Sequence, residues 1–428
     1  VRTLRYPSRA FDGYLRRLPR AGRLDARRER AVRSILEAVR REGDRALLRF
    51  TARFDGVRLT AARLKLKPAE VEAAARRAEP STVAALRRMA ARIEAFHRRQ
   101  RERGFRLADR DGTLLEEVAT AIDSVGLYVP GGAGAYPSTV LMNAIPARVA
   151  GVPRVVVVTP PRTLESHPAV AAALLVAGLQ KCVYRVGGAQ AVAALAFGTA
   201  SVPAVSKIVG PGNAFVAAAK RQVRGTVDVD MDAGPSEVVV LADDTARPEW
   251  VAADLLAQAE HGSGEETVAL VTTSDALAAA AARLLKQGLD SVANARAASR
   301  ALARYAAIVK VDDVATGVAA VNALAPEHAQ VMTRDAAAVA ARLIAGAVFV
   351  GPHAPVAVGD YGIGPNHVLP TGGAARRCSP LSVRDFMRRQ SRVRLTRAGL
   401  RRVAADVVRI AEAEGFVGHA RSVLVRLA

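Results

Sequence analysis

Residues 121–132 read AIDSVGLYVPGG, a short apolar run that stops at Pro130, Gly131 and Gly132. The run has the length of a strand, and its Pro-Gly-Gly ending is a turn of the kind on which α/β proteins hold ligands. Just downstream, TVLMNAIPARVAGV (139–152) predicts a helix, and RVVVVT (154–159) a strand covered on both faces. A helix over 170–178, the strand CVYRV (182–186) and the turn-plus-helix VGGAQAVAALAFG (186–198) follow. SKIVGPGNAFVAAAKRQV (206–223) then repeats the order strand, glycine loop, helix. The alternation over 122–236 therefore predicts a parallel sheet wrapped by helices.

A second run of the same kind begins at Ser236. SEVVVLADD (236–244), TVALVTT (267–273), AIVKVDD (307–313) and AGAVFVG (345–351) predict strands. Between them lie VAADLLAQAEH (251–261), a long helix, and a helix reaching Ala325. Two successive α/β units suit a duplication. Toward the amino end, the first ~105 residues predict helices, over 24–55 up to Gly56, from Pro68, and over 81–103. Beyond residue 380 the chain predicts an Arg-rich helical arm.

Composition narrows the class. A chain of 428 residues suggests two or three domains, and 50% hydrophobic residues supply a sizeable core. No apolar run reaches the roughly 18–20 residues that span a bilayer. The start, VRTLRYPSRAFDGYLRR, has no apolar signal core, so a cytoplasmic protein is expected. Cys182 and Cys378 are too few for a disulfide framework. The net charge of +22 raises nucleic acid as a partner. Yet the arginines are dispersed along helical stretches such as 16–41 and 76–103, without interleaved stacking aromatics. Solvated helix faces, or a field that draws in anionic ligands, account for them, so neither nucleic acid nor membrane is expected.

The chemistry-bearing residues fall in four short segments. They are QAEH (258–261), PEH (326–328), GDYGIGPNHVLP (359–370) and AEAEGFVGHARSV (411–423). Four of the seven histidines lie there, each near a carboxylate. Gln258 and His261, three apart, offer an oxygen and an imidazole nitrogen on one helix face. A helix C-terminus with Gly262 as its stop explains the same residues. Asp360 sits in a Gly/Pro-constrained loop and suits either a hard oxygen ligand or a turn. Glu327 and His328 form an acid/base pair, or else a helix start with a surface histidine. Glu414 and His419 flank a break between two helices. Tyr128, Gln190 and Asn213 lie at glycine-rich strand ends, which let amides approach phosphate. No G-x-G-x-x-G is present, since GGAGAY and GPGNAF both fail it. His97, His167 and His353 read as structural or solvated.

In its ordered motifs the chain resembles the histidinol dehydrogenase family. The matches are YVPGG, YRVGGAQAVAALAFGT, KIVGPGNAFVAAAKRQV, DMDAGPSEVVVLAD, LLAQAEH, PEH, GDYGIGPNHVLPT and EAEGFVGHARSV, spread over essentially its whole length. Phe215 stands where the family often has tyrosine.

The resemblance implies an α/β fold of two incomplete Rossmann-like domains with parallel sheets, plus a helical N-terminal segment and a C-terminal arm. The implied division is 1–24; 25–127 with 237–379; 128–236 on the nucleotide side; and 380–428, crossing to a partner subunit. It further implies one Zn2+ per subunit held by Gln258, His261, Asp360 and His419, with His419 and Glu414 supplied across a homodimer. Glu327 and His328 would be catalytic. Ser236, His367 and Glu414, with the metal-bound groups and His328, would hold L-histidinol, and Tyr128, Gln190 and Asn213 would contact NAD. The alternative within the class is a zinc- and NAD-dependent relative that oxidises another primary alcohol, such as a sulfonated diol.

Overall fold

The computed structural model describes residues 1–19, 25–131, 136–231 and 234–428. In chain order its strands are β1 (Arg2–Arg5), β2 (Phe105–Ala108), β3 (Leu114–Ala121), β4 (Ser124–Tyr128), β5 (Arg154–Thr159), β6 (Val183–Arg185) and β7 (Lys207–Val209). They continue with β8 (Asp228–Val229), β9 (Glu237–Ala242), β10 (Thr267–Thr272), β11 (Ala306–Lys310), β12 (His328–Met332), β13 (Ala347–Val350) and β14 (Met387–Arg394).

Among the described residues there are three sheets, two of them wholly parallel. One has the order β6-β5-β4-β7-β8, the other β1-β11-β10-β9-β12-β13. Counted from its own first strand, each reads third, second, first, fourth, fifth. That is the doubly wound order short of its sixth strand, with β1 added beside β11 in the larger sheet. The expected pair of incomplete Rossmann-like sheets is thus present. Its central strands, such as VVVL in β9 and RVVVVT in β5, are near-continuous apolar runs because helices cover both faces.

The division of the chain differs from the expected one. The helices between 26 and 98 were expected on the 237–379 unit but pack on the five-stranded sheet. Val32, Leu36, Val39 and Leu47 share a core with Tyr128 and Val158, while Leu86, Met89 and Ile93 share one with Val125 and Leu141. β4 begins at Ser124, ahead of the expected boundary at 128. Residues 1–19 are no separate segment, because Phe11, Tyr14 and Leu18 are buried against Val239 and Val309. Helical periodicity shows which face is apolar; it carries no information on which sheet that face will cover.

The arm is not wholly helical either. β14 pairs antiparallel with β3, which also pairs β2. MRRQSRVR has no apolar alternation because this ribbon is largely exposed and is held by charge. Arg389 pairs with Glu102 and Glu117, and Arg392 faces Glu116 across the strands. The helix Arg397–Ala413 then rests on the β2–β3 turn, where Arg402 pairs with Asp109 and Asp111. Among the described residues, no helix is long and apolar enough to cross a membrane.

At the carboxyl edge of the five-stranded sheet, a buried ion pair locks the glycine loop after β7. The Lys220 ammonium meets the Asp230 carboxylate and donates to the Gly210 carbonyl (3.0 Å), and Asp230 accepts from the Gly210 amide (2.8 Å). Gly210 has φ +110°, and a Cβ there would collide with the Tyr128 carbonyl, so only glycine fits. Replacing Asp230 by Asn would strand a buried ammonium. Urea unfolding should show a loss of about 3–5 kcal/mol; a loss below about 1 kcal/mol would mean the pair does not brace the loop.

Candidate active site

Glu327 and His328 stand at the amino end of β12, beside the amino end of its parallel neighbour β9. The helix Val314–Leu324 leads to them through Ala325, whose φ of +47° makes it the one non-glycine residue with positive φ among the described residues. Strain of this kind persists where the surroundings over-determine it. Pro326 then straightens the chain into the strand.

The strand heads are tied reciprocally. The Glu327 amide donates to the Glu237 carboxylate (3.1 Å), and the Glu237 amide donates to the Glu327 carboxylate (3.0 Å). His328 Nδ1 lies 3.0 Å from the Glu237 carbonyl. A carbonyl can only accept, so Nδ1 carries the proton and Nε2 holds a free lone pair. Burial pushes the His328 pKa down to about 4, helped by His261 and His367 and opposed by the Glu237 hydrogen bond. Burial also raises the Glu327 carboxyl well above the usual range, reinforced by the charges of Glu237 and Asp360 and opposed by hydrogen bonds from Glu237 and Ser236.

Gln258 lies in the last turn of the helix Pro248–Ala259, and His261 lies in the turn just beyond it rather than on the helix itself. The Gln258 amide nitrogen is 2.8 Å from His261 Nδ1. Asp360, expected in a loop, closes the helical turn Ala357–Asp360. Burial raises its carboxyl, and the His261 charge opposes this. His367 donates from Nδ1 to the Asp360 carbonyl (3.0 Å), and its Nε2 lies 3.4 Å from the Thr139 hydroxyl. Burial takes its pKa to about 4 as well. The segment 359–370 is pinned from the other sheet's helices, by Asn366 to the Met142 carbonyl (2.6 Å) and by Arg92 to the Gly362 carbonyl (2.6 Å). A cavity of about 630 Å³ opens over this cluster, lined by His328, His367, Phe349, Gly359, Leu369 and Leu381.

Gln258, His261, Asp360, Glu327, His328, His367 and Ser236 are therefore brought together within one chain. Glu414 and His419 are not. Both are exposed on the arm, where the His419 ring stacks on Phe416 at 4.9 Å. Among the described residues, no three His, Cys, Asp or Glu side chains converge closely enough to hold a metal ion. The donors that do converge still fit one in part. The buried Gln258 Oε1 has no hydrogen-bond partner among the described residues. With the His261 imidazole and the Asp360 carboxylate it makes an O, N, O set suited to a borderline divalent cation.

On the other sheet, the Tyr128 hydroxyl accepts from the Gly188 amide (3.0 Å), and burial pushes its pKa up to about 12. Gln190 is 1% exposed with Nε2 unpartnered, a donor with a vacant bonding direction. Asn213 is exposed and caps the helix Ala214–Val223, its Oδ1 accepting from Phe215 (3.0 Å) and Val216 (3.1 Å). Tyr128 ends β4 and Asn213 follows β7, and between these strands the order of the sheet reverses, the usual crevice for a dinucleotide. Tyr128 reaches the Gly188 amide beside Gln190, whose unmet donor fits a polar ligand there. The stretch 132–135 of the expected turn lies outside the described residues.

His97 is buried, with Nδ1 2.8 Å from the Ile93 carbonyl and Nε2 3.5 Å from Asn366, so it braces the 359–370 segment structurally as expected. His353 is exposed beside Trp250. Glu237 and Thr139 were missed from sequence. Glu237 reads as an ordinary strand residue, and nothing local signals that its neighbour in space is Glu327.

His328 and His367 bind protons less readily folded than unfolded, so the unfolded chain carries more protons between pH 6.5 and 4. Their contribution is present above pH 6.5 and lost as pH falls toward 4. Glu327, raised, acts in the opposite sense. Urea unfolding across this window should show His328→Gln flattening the pH dependence by roughly 1.4 kcal/mol per pH unit. An unchanged slope would mean that His328 titrates normally.

Comparison with known proteins shows the family. The family described as "Histidinol dehydrogenase" matches residues 19–427. A histidinol dehydrogenase of Rhodopseudomonas palustris is 50% identical over 400 residues, covering 93% of this chain and 92% of its own. One from Syntrophotalea carbinolica is 47% identical over 401 residues, covering 93% and 92%. The crystal structure of the enzyme from Elizabethkingia anophelis superposes with a TM-score of 0.92 at 33% identity, covering 100% of this chain and 98% of that one. The chain belongs to the histidinol dehydrogenase family and is an oxidoreductase.

Proposed function

We propose that the protein oxidises L-histidinol to L-histidine in two NAD-linked steps, at a zinc site completed by a second copy of the chain. The observation that carries this is the His328 ring, whose Nδ1 is committed to the Glu237 carbonyl and whose Nε2 faces the crevice as a neutral base beside Glu327. Gln258, His261 and Asp360 would hold the metal, with His419 of the partner subunit as the fourth ligand. When bound, the metal would anchor the imidazole and amine of the substrate and stabilise charge on its oxygen. NAD, when bound, would accept the hydride of each oxidation.

The protein's own groups divide the proton work. His328 Nε2 takes the proton of the alcohol as the first oxidation yields the aldehyde. Glu327, made more basic by burial, takes a proton from a water that adds to the aldehyde to form the hydrate. His328 passes its proton to the aldehyde oxygen as that water adds and is then free to take the hydrate's proton in the second oxidation. The acid so formed gives its remaining proton to solvent, leaving the carboxylate. Ser236, His367 and the partner subunit's Glu414 would orient the substrate. A sulfonated substrate would need a cation, and Arg384 in the cavity lining is already paired with Glu102 (2.7 Å).

Exposed apolar groups support the shared site. The arm presents Ile410 (58%), Phe416 (52%) and Val417 (70%), while Tyr361 (70%) and Ile363 (58%) flank the Asp360 segment. Such surfaces on one chain suit mutual cover in a homodimer. Both cysteines are unpaired, in keeping with a cytoplasmic setting.

Two NADH per histidinol consumed is the expected yield, abolished by a chelator; a yield of one, or chelator insensitivity, would contradict the scheme. His328→Gln should slow both oxidations by about 10²–10⁴-fold, whereas Glu327→Gln should slow the aldehyde step more than the alcohol step. Equal loss of both steps for Glu327→Gln would remove its role toward water. Mixing His261→Ala with His419→Ala chains should restore part of the activity in hybrids, and no recovery would argue against a site shared between subunits.

A further inference from the structure

Beside Tyr128 lies a carboxylate for which the chemistry above has no use. Asp55 ends the helix Asp44–Asp55, which Gly56 closes at φ +65°. At the start of that helix Asp44 accepts from the Ser201 hydroxyl (2.6 Å), in the loop entering the amino end of β7. Twelve residues rise about 18 Å, close to the roughly 17 Å of a five-residue strand. The last helical turn therefore reaches the carboxyl edge of the sheet. Phe50 from this helix shares a core with Tyr128 and Ala189, and the Asp55 charge is near enough to oppose ionisation of Tyr128.

Asp55 Oδ2 is buried and has no partner among the described residues. In a chain with 62 Lys and Arg against 40 Asp and Glu, a carboxylate without a cation is conspicuous. Burial alone acts on it, pushing its pKa up; Arg162, beyond the end of β5, is exposed and does not offset it. Three more buried polar atoms without partners belong to the same sheet edge: Thr159 Oγ1, Thr163 Oγ1 and Gln190 Nε2. Such a concentration of unmet groups marks a polar ligand site. A carboxylate at a helix C-terminus repels phosphate and takes hydrogen-bond donors. In this strand order an acidic side chain at the end of the second strand ordinarily takes the ribose hydroxyls. Here that strand, β5, ends in Thr159 and Pro160, with no carboxylate.

We propose that Asp55 accepts the adenosine ribose hydroxyls of the bound dinucleotide and thereby selects NAD over its 2′-phosphorylated form. The inference rests on the NAD reading above and names the residue that sets its specificity. Calorimetric titration of the substrate-free enzyme with NAD, NADP, the hypoxanthine analogue of NAD and 2′-deoxyadenosine NAD tests it. Asp55→Ala should bind NAD about 10- to 100-fold more weakly and show a narrowed preference over NADP. The unsubstituted protein should lose a similar factor with the 2′-deoxy analogue, a measurement that stands even if the variant does not fold. Unchanged affinity for the 2′-deoxy analogue overturns the proposal, as does NAD binding by folded Asp55→Ala at wild-type strength. A variant that loses discrimination against the hypoxanthine analogue, and not against NADP, would assign Asp55 to the adenine amine and overturn it too. Failure of the unsubstituted protein to bind NAD would instead sink the NAD reading itself.

Discussion

The reciprocal hydrogen bonds between Glu237 and Glu327 are the constraint on which the candidate site depends. Each carboxylate accepts from the other residue's amide at the head of adjacent parallel strands. The same Glu237 supplies, through its carbonyl, the acceptor that sets the His328 tautomer. Two acids and a histidine thus share one rigid frame, with a backbone group rather than a third side chain orienting the base. Burial makes the frame consequential. It holds His328 neutral and raises the carboxyl of Glu327, the two shifts that acid/base work near neutrality uses.

The two parallel sheets share a strand order yet use opposite edges. In the five-stranded sheet the glycine loops gather at the carboxyl ends of β4, β6 and β7, where ligands of open α/β sheets normally bind. In the six-stranded sheet Ser236, Glu237, Glu327 and His328 sit at the amino ends of β9 and β12. The segment 359–370 joins these edges, carrying Asp360 and His367 while Asn366 and His367 bond to the helix beside β4. One sheet's unusual edge thus faces the other's usual one, which is where the proposed substrate and nucleotide would meet.

Much of this was legible along the chain. Apolar runs separated by glycine turns located β4 to β7, β9 to β11 and β13, since a strand covered on both faces has to be apolar throughout. The two-residue β8 and β12, whose head was read as a loop or helix start, were not located. The histidine–carboxylate clustering located the polar groups that converge in the crevice except Ser236, which only the family resemblance named, and Glu237 and Thr139, which were missed. What failed was the polar ribbon: β14 and its partners are held by Arg–Glu pairing across strands, which leaves no hydrophobic period to read. The helices of 26–98 were located as helices and assigned to the wrong sheet, because amphipathic spacing has no address.

By itself, then, the sequence determined the alternation of elements, the residue types able to do acid/base and metal chemistry, and the family. Those properties are written in local periodicity and in motif order. Only the tertiary structure decided which strand heads lie side by side, which ring nitrogen of His328 is free, and that Asp55 arrives beside Tyr128. Each of these depends on groups tens to hundreds of residues apart meeting within hydrogen-bond or Coulombic range, and no local pattern encodes such a distance.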